Sequence, residues 1–337
     1  MNVRTVLAAA LIFYLLLAPG GAVAGQDPRA AGDEISEEAE RLKRLLGSLN
    51  LPGAESNQYA DGLKRVESAI ARGHLFLSLY YLQPVRVSLM TYDYQRSKAE
   101  VAKRGVEAFE AEWRDLGQQL AAKEKTAARP FEKTPAAVRA LTETSLGQVH
   151  PNHQSGRLYG LNTTVNDGLY YMGRAPAFQE FAIFSRQLGF QSTRSSLKLG
   201  SMEPELSALE AETLAAYKQA ADKDLRPFIG VNVALKVAWD LNRERWYFGA
   251  LLKYLDASLA LKLLDAPAVG ADRQAELKRK SAAFAIELSN TTTDHTIGLI
   301  YWQMAERALD ASSEDLKRAS VIIEHVLPRY FKAIRKR

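Results

Sequence analysis

At 337 residues the chain is long enough to bury a sizeable core without covalent staples, and 47% apolar with 25% charged residues is the balance of a globular protein. It contains no cysteine, which excludes disulfides, thiolate metal sites and cysteine nucleophiles. The formal charge of +5 is too small over this length to indicate nucleic acid as a partner.

Arg4, the apolar run from Val6 to Ala18 and the small-residue pattern Ala22-Val23-Ala24 follow the three-part plan of a secretory signal peptide. The run is shorter than the ~20 residues a membrane-spanning helix needs, and Pro19-Gly20-Gly21 interrupts it. Residues 1–24 are therefore expected to be a signal peptide cleaved near Ala24. That leaves a secreted or periplasmic protein with no transmembrane segment. The segment that follows, "GDEISEEAE", is acidic, whereas Arg329, Lys332, Arg335, Lys336 and Arg337 make the other end basic. The basic tail reads as a solvated last helical turn whose cations suit the helix dipole, with an anionic lipid surface or acidic partner as the sharper alternative.

Helical periodicity dominates the remainder, and strand signals are scarce. A first helix is expected to open at Ser36 as N-cap, with Ile35, Leu42, Leu45, Leu46 and Leu49 close to helical spacing, and to stop at Asn50-Leu51-Pro52-Gly53. A second carries Tyr59, Leu63, Val66 and Ile70 and ends at Gly73. "HLFLSLYYLQ" follows and is interrupted or kinked at Pro84. A long charged helix covers about 97–125. The polar stretch "KEKTAARPFEKTP" reads as a linker, Thr134-Pro135 opens a helix to about Leu146, and "GQVHPNHQSG", Gly147 to Gly156, reads as a loop. Helices are then expected over 158–173, 176–188, 204–221, 227–242, 243–264, 271–289 and 294–311, with a last one kinked at Pro328. The organisation is a signal peptide (1–24), an N-terminal helical region (25–125), a linker with a short helix and loop (126–157) and a C-terminal helical-repeat region (158–337).

Two stretches share a pattern. Tyr170-Tyr171-Met172-Gly173 is followed by Phe178, and Trp246-Tyr247-Phe248-Gly249 by Tyr254. This pattern weakly resembles the first helix of a tetratricopeptide repeat, although that family's tyrosine position holds Pro176 and Leu252 here. The resemblance implies an all-α fold of antiparallel helix pairs forming an α-solenoid or helical-repeat array, which would present a concave surface to a protein or peptide partner. An irregular multi-helix bundle is the alternative architecture. An aromatic stripe at helical spacing is more often core than binding surface, so core packing is the first expectation for Tyr170, Tyr171, Trp246 and Tyr254, and a ligand-lining role the second.

Motif chemistry is sparse. His150-Pro151-Asn152-His153 has metal-ligand spacing but no flanking acid, so no metal is expected. Asp294-His295 sits at a helix start, where Asp294 is expected to cap it. No G-x-S-x-G elbow, dinucleotide fingerprint or P-loop occurs. Asp240 and Glu244 are four apart inside an apolar run and would share a face of a continuous helix, either as a solvated ion-paired face or as a carboxylate pair. Two glycosylation sequons, at Asn162 and Asn290, would matter only in a eukaryotic secretory pathway. The combined expectation is an exported binding scaffold in the cell envelope, needing no cofactor. Its alternatives are a small-ligand-binding helical protein with Tyr170, Tyr171, Trp246, Tyr254, Asp240 and Glu244 at the site, and a hydrolase with dispersed residues.

Overall fold

The computed structural model describes residues 28–127, 131–220, 224–289, 292–310 and 313–335. The expected signal peptide lies outside these residues. Among them the fold is all-α with no β-strand, and none of its helices is long and apolar enough to cross a membrane.

The elements are α1 (Pro28–Ser48), α2 (Gly53–Ala71), α3 (Leu75–Ser97), α4 (Ala99–Arg104), α5 (Val106–Ala127), α6 (Ala136–Asn162), α7 (Val165–Gln187), α8 (Glu203–Gln219), α9 (Ile229–Arg243), α10 (Tyr247–Asp265), α11 (Ala271–Ser289), α12 (Thr296–Ala308), α13 (Ser313–Val321) and α14 (Leu327–Arg335). A π turn, Ile322–Val326, joins the last two. The antiparallel hairpin of α6 and α7 is the axis of the molecule. Helix α3 lies along α7, α10 lies along α6, α5 crosses both, and α12 packs on α3 and α6.

Glycines make the central hairpin close. A Cβ on Gly168 would stand 2.5 Å from Gly160 Cα and 2.8 Å from the Gly156 carbonyl, so the two backbones meet with nothing between them. This corrects the expectation of a loop over Gly147–Gly156: that stretch is the middle of α6, and residues 136–157 belong to a central helix. Its glycines serve close approach and have no positive φ, unlike the turn glycines Gly73, Gly105 and Gly189. Each costs roughly 1 kcal/mol of helix propensity against alanine, and the backbone packing it permits offsets that.

Other boundaries move for related reasons. Helix α1 begins before Ser36, which is therefore interior to it, and α3 and α7 run through Pro84 and Pro176. A proline inside a helix removes one backbone bond, but the surrounding turns are held by buried packing: Leu82, Val85 and Val87 in α3, Ala175, Phe178 and Phe181 in α7. The break between α6 and α7 falls instead at Thr163–Thr164. There Thr164 Oγ1 accepts from Asp167 N (3.1 Å) and donates to the Asp167 carboxylate (2.7 Å), a reciprocal N-cap. The expected helix over 243–264 starts later, at Tyr247, because Arg245 takes φ 61° and turns the chain after α9.

Two buried carboxylates tie the bundle together. Asp294, 1% exposed, accepts from Thr296 N at the start of α12 and also from Ala136 N at the start of α6, each at 3.0 Å. The expected cap is thus present, and it serves two helices. Glu143, also 1% exposed, accepts from Gly249 N (2.8 Å) at the start of α10 and from Arg139 Nε (2.7 Å). Burial raises its pKa above the usual carboxylate value despite these bonds.

The helix packing does not confirm a solenoid or repeat arrangement. Gly173 lies mid-helix against Thr91 and Tyr94 of α3, whereas Gly249 lies in the first turn of α10 against Glu143 and Thr144 of α6, so the two glycines occupy different kinds of crossing. Contacts also close across the chain. Asp256 of α10 accepts from Tyr80 of α3 (2.8 Å) and Tyr301 of α12 (2.7 Å), whereas units of a solenoid touch only their neighbours. The main core draws on residues from Ala31 to Ala333. At the basic end, Arg329 pairs with Glu212 and Arg335 with Glu287.

Candidate functional site

A cleft of about 790 Å³ opens between α5, α6 and the turn from α9 to α10. It brings together sequence candidates from two separate stretches: His150 and His153 of α6 with Asp240, Glu244 and Trp246. The other candidates lie elsewhere. Tyr170 and Tyr171 join Tyr59, Tyr92 and Tyr159 in a chain of ring contacts whose closest pair, Tyr159–Tyr171, stacks at 4.4 Å. Tyr254 is buried in the core.

The cleft floor is set by two glycines. Gly147 leaves room for Leu241 and Trp246, and Gly117 for His153. His153 stacks on Trp113 at 4.8 Å, with 7° between the rings. Its Nε2 lies 2.9 Å from the Trp113 carbonyl, and Trp113 Nε1 donates to the His153 carbonyl (3.1 Å). A carbonyl only accepts, so His153 carries its proton on Nε2. Burial lowers the His153 pKa, and the ring latches α5 to α6. His150, by contrast, is exposed at the rim.

Asp240 and Glu244 are not a carboxylate pair that shares a proton. Helix α9 ends at Arg243, and Glu244 is the residue after it. Asp240 accepts from Lys236 (2.8 Å) and Arg243. Partial burial pushes its pKa up, but the bonds from Lys236 and Arg243 together outweigh this and hold it below the usual value. The Glu244 side chain is exposed and has no ion-pair or hydrogen-bond partner among the described residues, and the same is true of the Glu124 side chain, which also lines the cleft.

Two further features have weak sequence signals. Gln179 of α7 is 2% exposed and part of the cleft wall; its Nε2 donates to the Leu120 carbonyl (2.8 Å), while its Oε1 has no partner among the described residues. Its only advance sign is a polar residue within the apolar run "APAFQEFAIF". Pro151 has no N–H, so the Gly147 carbonyl loses its helical donor and retains a 3.5 Å contact from Gln148 Nε2. Among the described residues no group of three or more histidines or acids is placed to hold a metal ion.

A second cleft, of about 580 Å³, lies between α8 and α9, and Asp240 and Arg243 border both. Leu214, Leu225, Ile229 and Val233 are exposed along α8, α9 and the segment between them. No family model, curated protein or solved structure matches the chain.

Proposed function

We propose that the chain is an exported binding protein that holds its ligand in the cleft between α5, α6 and the α9–α10 turn. The observation that carries this reading is the convergence of Trp246, His150, Glu244 and the half-satisfied amide of Gln179 around one concavity. Its volume of about 790 Å³ lies in the range of small-molecule sites, ~300–1,000 Å³. Binding is favoured over hydrolysis because the strongest acid–base candidates are already engaged: His153 with Trp113, and Asp240 with Lys236 and Arg243. The binding role does not depend on a helical repeat. Export rests on the N-terminal sequence pattern alone.

The experiment is native mass spectrometry of the protein purified gently from its host. Ala121 is exposed and lines the cleft, so Ala121→Trp should fill the cleft without touching the core. Wild type should carry a small added mass that the variant lacks. Equal retention by both would refute the cleft as the site.

A second reading, a scaffold for a protein or peptide partner in the cell envelope, is favoured by the exposed apolar residues beside the α8–α9 cleft. It predicts instead a co-purifying protein that Val233→Glu releases and Ala121→Trp does not.

A further inference from the structure

The α8–α9 cleft, which is separate from the one proposed above, is polarised along its length. Helices α8 and α9 run antiparallel there. Tyr217 near the end of α8 meets Phe228 beside the start of α9, with 5.7 Å between ring centres, and Met202 N before α8 donates to Asn242 Oδ1 near the end of α9 (2.6 Å). The half nearer the α8–α9 connection is lined by Leu214, Tyr217, Leu225 and Phe228. Leu214 and Leu225 are 52% and 55% exposed, so this apolar lining is open to a guest. The other half carries all the charge that lines the cleft: Glu210, Lys236, Asp240 and Arg243. From Phe228 to Arg243 the chain rises about 20 Å at ~1.5 Å per residue. The cleft volume of about 580 Å³ lies within the ~300–1,000 Å³ of small-molecule sites.

The charges are also divided between the walls. Lys236 and Arg243 on α9 both bond to the single carboxylate of Asp240, which leaves one cationic charge in excess on that wall. Their side chains are 75% and 71% exposed, so both can also reach a ligand. Glu210 on α8 is exposed and has no ion-pair or hydrogen-bond partner among the described residues, so the opposite wall is anionic. Exposed charges alone are ordinary surface; these stand at one end of an open apolar cleft. We infer that the cleft holds a monomeric single-chain lipid with a zwitterionic head. The acyl chain lies along the apolar half, the anionic group of the head meets Lys236 and Arg243, and its ammonium group meets Glu210. A head of one sign would face its own charge on one wall, and an uncharged apolar ligand would leave the charged half without a counterpart.

Four amphiphiles with the same decyl chain test this: decylphosphocholine, decyl sulfate, decyltrimethylammonium and decyl maltoside. Each is titrated into the full protein below its self-association concentration, with the Trp239 indole N–H followed by NMR and helicity checked by circular dichroism; Trp239 lines the charged half. Decylphosphocholine should give a saturable one-to-one shift of Trp239 and bind at least about threefold more tightly than each of the others. Hexylphosphocholine, four methylenes shorter, should bind at least about twentyfold more weakly. Leu225→Glu, at an exposed position, should weaken every decyl head about tenfold by placing a charge in the apolar half. Glu210→Lys, also exposed, should make decyl sulfate the tightest of the four. Ala121→Trp alters the other cleft and should change none of these affinities, so the two readings fail separately. No saturable Trp239 shift, any other head binding as tightly as phosphocholine, or indifference to Leu225→Glu overturns the inference. A co-purifying protein released by Leu225→Glu, with no binding of decylphosphocholine, also overturns it and assigns the cleft to the scaffold reading.

Discussion

Trp246 lies against Gly147: a Cβ at Gly147 would stand 3.3 Å from Trp246 Cζ3 and 2.5 Å from Leu241 Cδ2. The cleft therefore has its shape because α6 lacks a side chain at that point. Gly147→Ala gains about 1 kcal/mol of helix propensity but overpacks the wall at a cost of about 1–3 kcal/mol. Its net effect should be mild destabilisation with a changed Trp246 environment. Gly168→Ala should cost more, because its obstacles are the Gly160 Cα and Gly156 carbonyl, backbone atoms that cannot swing aside. Denaturant midpoints of the two variants, measured side by side, test that order.

Asp294 caps two helices that are distant in sequence, α6 through Ala136 N and α12 through Thr296 N. One N-cap is typically worth about 1 kcal/mol, so Asp294→Ala should lose about 2–4 kcal/mol once the burial of the freed N–H groups is included. Asn has one acceptor oxygen where Asp has two, so Asp294→Asn should lose roughly half as much. Equal losses for Ala and Asn in thermal or urea unfolding would contradict the double cap.

Glu143 offers a pH signature. Burial raises its native pKa above the ordinary 4.5 despite the bonds from Gly249 and Arg139. A raised folded-state pKa gives a contribution that is complete in acid and declines as pH rises through that raised value. Glu143→Gln should remove this decline while keeping one acceptor for the start of α10. Glu143→Leu should be the more destabilised of the two at every pH, by about 1–3 kcal/mol for the unpaired N–H groups.

The histidines act in the opposite sense. Burial lowers His74 to about 4, and His153, His295 and His325 are also lowered by burial. The unfolded chain takes up protons that the native one refuses, so stability should fall as pH drops from about 6.5 towards 4. For His74 the full shift would amount to about 3 kcal/mol, and solvent at its edge beside Glu306 screens that to roughly half. Burial raises Glu306, which opposes this trend because its contribution is greatest in acid. Urea midpoints across this range should therefore show a shallower acid loss in His74→Gln and a steeper one in Glu306→Gln.

Helix class was legible from apolar spacing because α2, α5 and α11 each bury one stripe and leave the rest to solvent. Punctuation was not. Pro84, Pro151 and Pro176 resemble stops, but each sits within a helix whose packing outweighs one lost backbone bond. Gly147 and Gly156 resemble turn residues but, with Gly168, are points of close approach between helices. The real break after α9 rests on a positive φ at Arg245, a residue with no turn signature. Asp240, Glu244, Trp246 and the H-P-N-H stretch were each visible as unusual. That they border one cleft, with Gln179 behind them, depends on α9 and α10 folding back on α6, which no local pattern encodes.

The most direct measurement of the central claim uses the four tryptophans as reporters. Trp246 lines the proposed cleft and Trp239 the neighbouring one; Trp113 is stacked on His153, and Trp302 donates to the Ser281 carbonyl. The four indole N–H resonances, assigned by single Trp→Phe variants, would be followed by NMR during titration with the small-molecule fraction released from the gently purified protein. Binding in the cleft between α5, α6 and the α9–α10 turn should give a saturable shift of Trp246, with Trp302 unmoved. A saturable shift of Trp239 with Trp246 unmoved, or no shift at any indole, would contradict it.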